Sequence, residues 1–204
     1  MNKIKYWLVI LALALGAAQA SAALETPEQI VRVVSKDVLD IVKKNDKDVV
    51  KMRELVDARI GPLANYSRMT SLAVGLQWRK ATPEQQQALS REFRQMLVRT
   101  YLSALTIYKN AQIDVKPARA GSTADEQTVR TEVSLPDQKP VIVDFIFEKS
   151  DTGWKVYDVS VEGISFINNH RNQFKAIIQK DGVPGLIKQL ADRNATAKSG
   201  AGSK

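Results

Sequence analysis

The spacing of apolar residues changes twice along this chain, and those changes limit the folds open to it. From residue 26 to about residue 110, apolar residues recur every three or four positions, as on one face of a helix. From about residue 112 to residue 161 they alternate with polar residues, as in strands, and after Gly163 the helical spacing returns. Helices, then a sheet, then helices predict an α+β fold.

Start and stop signals place the helices more closely. Residues 26–29 and 82–85 both read Thr-Pro-Glu-Gln, which supplies an N-cap, a first-turn proline and a capping-box glutamine. We expect further helices from about residue 46 to 60 and from 66 to 74, and two C-terminal helices separated at Gly182. The helix after residue 82 carries the clearest apolar stripe and is expected to reach about residue 110. Its members are Leu89, Phe93, Met96, Leu97, Thr100, Tyr101, Ala104, Leu105 and Tyr108.

Four strands are predicted, over residues 113–115, 129–135, 141–147 and 154–161, joined by short connections that favour an antiparallel meander. The third strand is apolar on both faces, since Ile142 and Ile146 alternate with the other apolar residues. Those others are Val141, Val143, Phe145 and Phe147. Such a strand is either covered by packed helices or lines a cavity for an apolar ligand, and its sequence allows both.

The N-terminus has the order of an export signal. Two lysines precede an apolar run at residues 6–15, and small residues follow at 16–22. The run is too short to span a bilayer, which needs about 20 residues. We expect a signal peptide over residues 1–22, cleaved after Ala20 or Ala22, and a mature protein that works in the periplasm.

The rest of the chain is expected to form one domain, residues 23–194, followed by a disordered tail, 195–204, of small and polar residues. There is no cysteine, which excludes disulfides and thiolate metal sites. Removing Lys3 and Lys5 from the formal charge of +8 leaves +6. A basic surface suits anionic partners, and export argues against nucleic acid.

Few residues suggest catalysis. His170, the one histidine, lies in a polar run and is expected to be a surface residue. Asp144 and Asp158 sit within strand patterns, where a carboxylate is either an acid or base in an apolar pocket or an ion-paired or solvent-facing group. No metal-ligand spacing, phosphate loop or nucleophile elbow is present.

Three blocks resemble the MlaC family of periplasmic phospholipid-binding proteins, also called the toluene-tolerance auxiliary component family. The first is LAVGLQWRKATPEQ at residues 72–85, with the helix that follows it. The second is GWKVYDV at 153–159, continued by EGISF at 162–166 and RNQF at 171–174. The third is GVPGLI at 182–187.

This resemblance implies a non-enzymatic carrier without a cofactor, in which a sheet and helices enclose an apolar pocket for acyl chains. It implies a monomer that exchanges phospholipid between an inner-membrane ABC transporter complex, through its substrate-binding component, and an outer-membrane lipoprotein–porin complex. That exchange maintains the lipid asymmetry of the outer membrane. Arg79 and Arg171 are the expected headgroup contacts. The expected acyl-chain contacts are Met96, Leu97, Tyr101, Leu105, Val133, Val141, Val143, Phe145, Phe147, Val156, Ile164, Phe166 and Ile167.

Two other functions stay open on the residues alone. One is a small cup-shaped α+β enzyme acting on an apolar substrate, with Asp158 or Asp144 as acid or base. The other is an adaptor with a filled core that only bridges membrane proteins.

Overall fold

A computed structural model describes residues 26–201, apart from the side chains of residues 103, 104 and 197–201. The predicted export signal, residues 1–22, lies outside the described residues. Five α-helices are described: α1 Pro27–Lys44, α2 Val49–Ile60, α3 Tyr66–Val74, α4 Pro83–Leu102 and α5 Phe166–Ala201. Three 3-10 helices link them, Gly61–Leu63, Gly75–Lys80 and Ser103–Tyr108, the last extending α4 toward the predicted end of its stripe.

The predicted helix starts are built as their sequences indicate. The Thr26 hydroxyl accepts the N–H of Gln29 at 3.2 Å, which caps α1. At α4 the capping box is complete: the hydroxyl of Thr82 accepts the N–H of Gln85 at 3.3 Å, and the Gln85 side chain accepts the N–H of Thr82 at 3.0 Å. Helix α2 starts slightly later than predicted because Asp48 provides its N-cap.

One antiparallel sheet contains the four predicted strands and two short strands that periodicity cannot detect. Its strands are β1 Gln112–Val115, β2 Arg119–Ala120, β3 Glu126–Ser134, β4 Val141–Ser150, β5 Gly153–Val161 and β6 Ile164–Ser165. The order is β1-β3-β4-β5-β6, with β2 paired to β3. Strands β2 and β6 have two residues each, too few to show an alternation.

A bulge interrupts the pairing of β4 with β5. Ile146 pairs with Asp158 but the next residue, Phe147, pairs with Val156, so Tyr157 is the extra residue on β5. A bulge lets two stretches of one strand keep their apolar residues on the same face in spite of the added residue. Val156 therefore shares the apolar face with Phe147.

The C-terminal helix is broken where the sequence predicts it. Gly182 has φ 68° and ψ −176°, a conformation that is essentially restricted to glycine, and it separates two helical parts of α5. Helix α5 is described as far as Ala201, so it extends into residues 195–204, where we predicted a disordered tail; residues 202–204 lie outside the described residues. This extension contains several alanines, the residue with the highest helix propensity.

Three clusters of buried residues form the core. The first joins α3, α4 and α5 around Phe93 and Leu89; the third joins α1, α2 and the end of α4 around Met52 and Val42. In the second, Ile30 and other α1 residues pack on the sheet; its buried sheet members are Val115, Val129 and Phe147. Helix α1 therefore packs on one face of the sheet and buries one end of that face. In the described part of the chain, no helix combines the length and apolarity needed to cross a membrane.

Candidate functional site

One face of the sheet is apolar over most of its length. The register pairs Val133 with Val141, Phe145 with Val159 and Val143 with Val161, and each pair points to the same side. The opposite face carries charged residues such as Arg130 and Asp144. We call the first of these the apolar sheet face; its residues are Ile113, Val115, Val129, Val133, Val141, Val143, Phe145, Phe147, Val156, Val159 and Val161.

Burial of the apolar sheet face is uneven. Val129 and Phe147, under α1, are 0% exposed. Phe145 is half-buried at the edge of the cluster that α1 covers. Beyond it, toward the other end, the side chains are also only half-buried; these residues are Val133, Val141, Val143, Val159 and Val161. Apolar side chains inside a filled core are normally removed from water completely. This end of the face therefore offers apolar surface that a hydrophobic ligand could cover.

The helices contribute a half-buried aromatic pair. The rings of Tyr101 and Phe166 stack with centroids 4.0 Å apart and an interplanar angle of 12°. The Tyr101 hydroxyl lies 3.3 Å from Nε2 of His170, and burial raises the pKa of Tyr101. Leu97 and Leu105, also half-buried, pack at the margins of the first and third clusters. These side chains are amphipathic or apolar and suit a lipid chain.

Other residues predicted to contact acyl chains have different environments. Met96, Phe147 and Ile167 are buried members of packed clusters. Val156 is half-buried and packs against the first and second clusters. Ile164 lies in β6 rather than in a helix and is 65% exposed.

Arg79 and Arg171, the predicted headgroup contacts, come together in a cavity that none of the predicted acyl-chain contacts lines. They line a cavity of about 360 Å³ that also includes Arg68. A second cavity, of about 440 Å³, adjoins it, and both are lined by Gly75, Leu76 and Arg171. We call the pair the Leu76 groove. As the structure describes these cavities, their walls share no residue with the predicted acyl-chain contacts.

The environment of Asp144 does not suit acid–base chemistry. Its two carboxylate oxygens accept Nε–H and Nη2–H of Arg130, both at 2.8 Å, and Arg119 lies 3.6 Å away. The hydrogen bond from Arg130 is the main cause that lowers the pKa of Asp144. Asp144 is therefore an ion-paired group on the charged face of the sheet.

Asp158 joins strand β5 to the start of α5. Its carboxylate accepts the N–H of Val159 at 2.8 Å, the N–H of Ile167 at 3.2 Å and the hydroxyl of Ser165 at 2.5 Å. Burial raises the pKa of Asp158, and the three donors act in the opposite direction. These contacts are structural: the carboxylate satisfies a backbone N–H of β5, a side-chain hydroxyl of β6 and the Ile167 N–H, one of the N–H groups at the start of α5 that have no partner within the helix.

His170 is buried, with 7% exposure, so the prediction of a surface residue is wrong. Its ring lies against Phe93 and Phe174, at centroid distances of 5.3 and 5.7 Å, and burial lowers its pKa. Nδ1 has no hydrogen-bond partner among the described residues. The spacing of Ile167, His170 and Phe174 on one helical face was the signal that could have shown this.

Metal chemistry finds no support in the part of the chain that the structure describes. Within residues 26–201, no group of three His, Cys, Asp or Glu side chains is placed to hold a metal ion.

Comparison with known proteins finds the same fold with a lipid bound. Residues 32–192 match the family described as MlaC protein. In the solved structure of a phospholipid-binding protein from Ralstonia solanacearum, in complex with a phospholipid, 37% of aligned residues are identical; the match covers 83% of this chain and 97% of that one, with a TM-score of 0.75.

Curated relatives agree with this match. Toluene tolerance protein ttg2D from Pseudomonas putida is 28% identical over 168 residues, covering 79% of this chain and 77% of the relative. The intermembrane phospholipid transport system binding protein MlaC from Haemophilus influenzae is 24% identical over 200 residues, covering 92% of each.

Proposed function

The chain belongs to the MlaC family, and from that premise we propose that it carries phospholipid through the periplasm between complexes of the outer and inner membranes. Its proposed partners are an inner-membrane ABC transporter complex, with its substrate-binding component, and an outer-membrane lipoprotein–porin complex. The exchange would maintain the lipid asymmetry of the outer membrane. The single observation that supports this most directly is the apolar sheet face, which α1 covers at one end only.

The physical need for such a face is clear. Each methylene group transferred to water costs about 0.8 kcal/mol, so two acyl chains would cost on the order of 20 kcal/mol to expose. A carrier must therefore cover the chains throughout its passage. The polar headgroup can stay in water, which allows one pocket to serve several phospholipids.

We propose that the acyl chains lie between the half-buried end of the apolar sheet face and the helical residues near it. The helical residues are Leu97, Tyr101, Leu105 and Phe166. Met96, Phe147 and Ile167 support this wall as packed core. We leave Arg79 and Arg171 out of the lipid site because they line the Leu76 groove.

The enzyme alternative has little support. The MlaC family is one of lipid carriers rather than enzymes. The two acids proposed as acid or base are held by Arg130 and by the N-terminus of α5. Neither carboxylate has the free access to an apolar substrate that general acid–base catalysis requires.

Organic extraction of the purified protein, followed by mass spectrometry, tests the proposal. We expect phospholipid to co-purify in an amount close to stoichiometric. Protein that is folded and free of lipid, even after incubation with phospholipid micelles, would favour the adaptor with a filled core. Release of fatty acid from added phospholipid would favour the enzyme.

A further inference from the structure

We propose that the Leu76 groove is a docking surface for a protein partner that presents acidic side chains around a projecting apolar one. This inference rests on the proposed function, because a lipid carrier must recognise the complexes that load and unload it. It concerns a different surface from the apolar sheet face.

The centre of the groove is an apolar side chain held in water. Leu76 is 77% exposed, the highest exposure among the large apolar residues described as exposed. Gly75 fixes this position: its φ of 69° and ψ of −138° end α3 and redirect the chain into the next 3-10 helix. A side chain at position 75 would strain that backbone. The backbone conformation at Gly75 therefore helps to hold Leu76 at this exposed position.

Four cations surround Leu76, and three of them have no matching anion among the described residues. Arg68, Arg79, Arg171 and Lys175 line the two cavities of the groove. Of these, Arg68 pairs with Glu148 at 3.5 Å. The other three form no ion pair with any residue between 26 and 201. Unpaired cations around an apolar centre favour a partner whose acidic side chains surround an apolar one.

The shape of the groove favours a protein over a membrane. The larger cavity, about 440 Å³, lies between the end of α3 and α5 and has Val74, Ile178 and Val183 in its wall. A concave apolar site accepts a projecting side chain, as the pockets of protein interfaces do. Anionic headgroups in a flat bilayer could neutralise the cations but would leave this cavity unfilled.

The test measures binding of the mature, lipid-loaded protein to the purified ABC transporter complex and to the purified lipoprotein–porin complex of the same organism. Leu76→Asp and Arg171→Glu remove the apolar centre and reverse one cation. Val50→Asp, at a residue 49% exposed on α2, and Arg193→Glu, at an exposed residue on α5, are matched controls outside the groove. Extracted phospholipid is quantified for every variant, which tests the lipid site separately.

We expect both groove variants to weaken binding to at least one complex by roughly tenfold or more, as for central interface residues. Both controls should stay within about twofold of wild type, since rim or distant substitutions change binding little. Bound phospholipid should be unchanged in all four variants.

Three results would overturn the docking surface. The first is unchanged binding of the groove variants to both complexes, or no binding of the wild-type protein to either complex. The second is loss of bound phospholipid from Arg171→Glu, which would make the groove a headgroup site. The third is wild-type binding to phosphatidylglycerol vesicles that the groove variants lose while binding both complexes normally. Wild-type protein without lipid would contradict the proposed function instead.

Discussion

His170 illustrates how a single side chain can look functional and be structural. It lies among Phe93, Phe174 and Tyr101, and its one described polar contact is the Tyr101 hydroxyl at 3.3 Å. Burial favours its neutral form and lowers its pKa from the usual 6.5. The unfolded chain therefore takes up a proton at a higher pH than the folded chain does.

His170→Phe should reduce the acid sensitivity of the fold. Because the folded pKa lies below 6.5, the contribution of His170 to stability is lost as pH falls from 6.5 through that lower value. Denaturant unfolding at neutral pH and at about pH 5 should show a smaller loss of stability in the variant. Bound lipid and lipid transfer should be retained. An equal loss of stability in both proteins would show that His170 is not protonated with unfolding.

Asp158 gives a second prediction at this scale. Asp158→Ala removes the acceptor for the N–H of Ile167 and for the Ser165 hydroxyl, so it should lower the free energy of unfolding by about 1 kcal/mol. Asp158→Asn keeps an acceptor oxygen and should cost less. Thermal melts compare the two variants. Both should still carry phospholipid, and loss of an ester-cleaving activity in either one would restore the enzyme hypothesis.

Among the elements, strand β4 provides the sharpest test of the lipid site. Phe145→Asp should cut bound phospholipid by roughly tenfold or more, because an unpaired carboxylate in an apolar site costs well over 1.4 kcal/mol. Val143→Trp should do so by filling the space. The lipid-to-protein ratio after gel filtration measures both effects.

Ile142→Trp is the matched control for β4, since Ile142 is adjacent to Val143 but points to the opposite face. It should retain its lipid. If Phe145→Asp or Val143→Trp folds normally and still extracts with a full load of lipid, this part of the strand is ordinary core.

The same elements show what the sequence can and cannot predict. Capping at Thr82 and the alternation in β4 depend on neighbouring residues, so both were predictable. The bulge at Tyr157 was not, because it depends on how β5 pairs with β4. The uneven burial of the apolar sheet face depends on where α1 packs, a contact with residues about a hundred positions away. The alternation of residues identified β4 as an apolar strand. How much of it is exposed to water could not be predicted, because that depends on how the whole chain packs.

At the scale of the whole molecule, basic residues that are far apart in the sequence lie close together in the fold. The basic residues look scattered in sequence, yet the Leu76 groove gathers cations from α3, from the 3-10 helix after it and from α5. Residues as distant as Arg68 and Lys175 become neighbours only in the folded protein. This clustering could not be predicted from sequence spacing.

A further prediction concerns membranes without partner proteins. A chain cleaved at the predicted signal site would carry a charge of +6 and should bind anionic vesicles modestly and in a salt-sensitive way, since each cation near such a surface contributes about 1 kcal/mol and is screened beyond about 8 Å. It should not bind neutral vesicles, and its lipid should exchange slowly with either. Co-sedimentation and fluorescent-lipid transfer measure this. Fast exchange with protein-free vesicles at physiological salt would contradict the need for a docking partner.

The half-buried end of the apolar sheet face also has a consequence for the lifetime of the protein in the cell. A ligand that binds only the folded chain lowers the fraction of molecules that are transiently unfolded. Proteases act on that fraction, so an empty carrier would be degraded sooner than a loaded one. Turnover would then remove idle molecules selectively, and the steady-state number of carriers would follow the supply of lipid without a dedicated sensor.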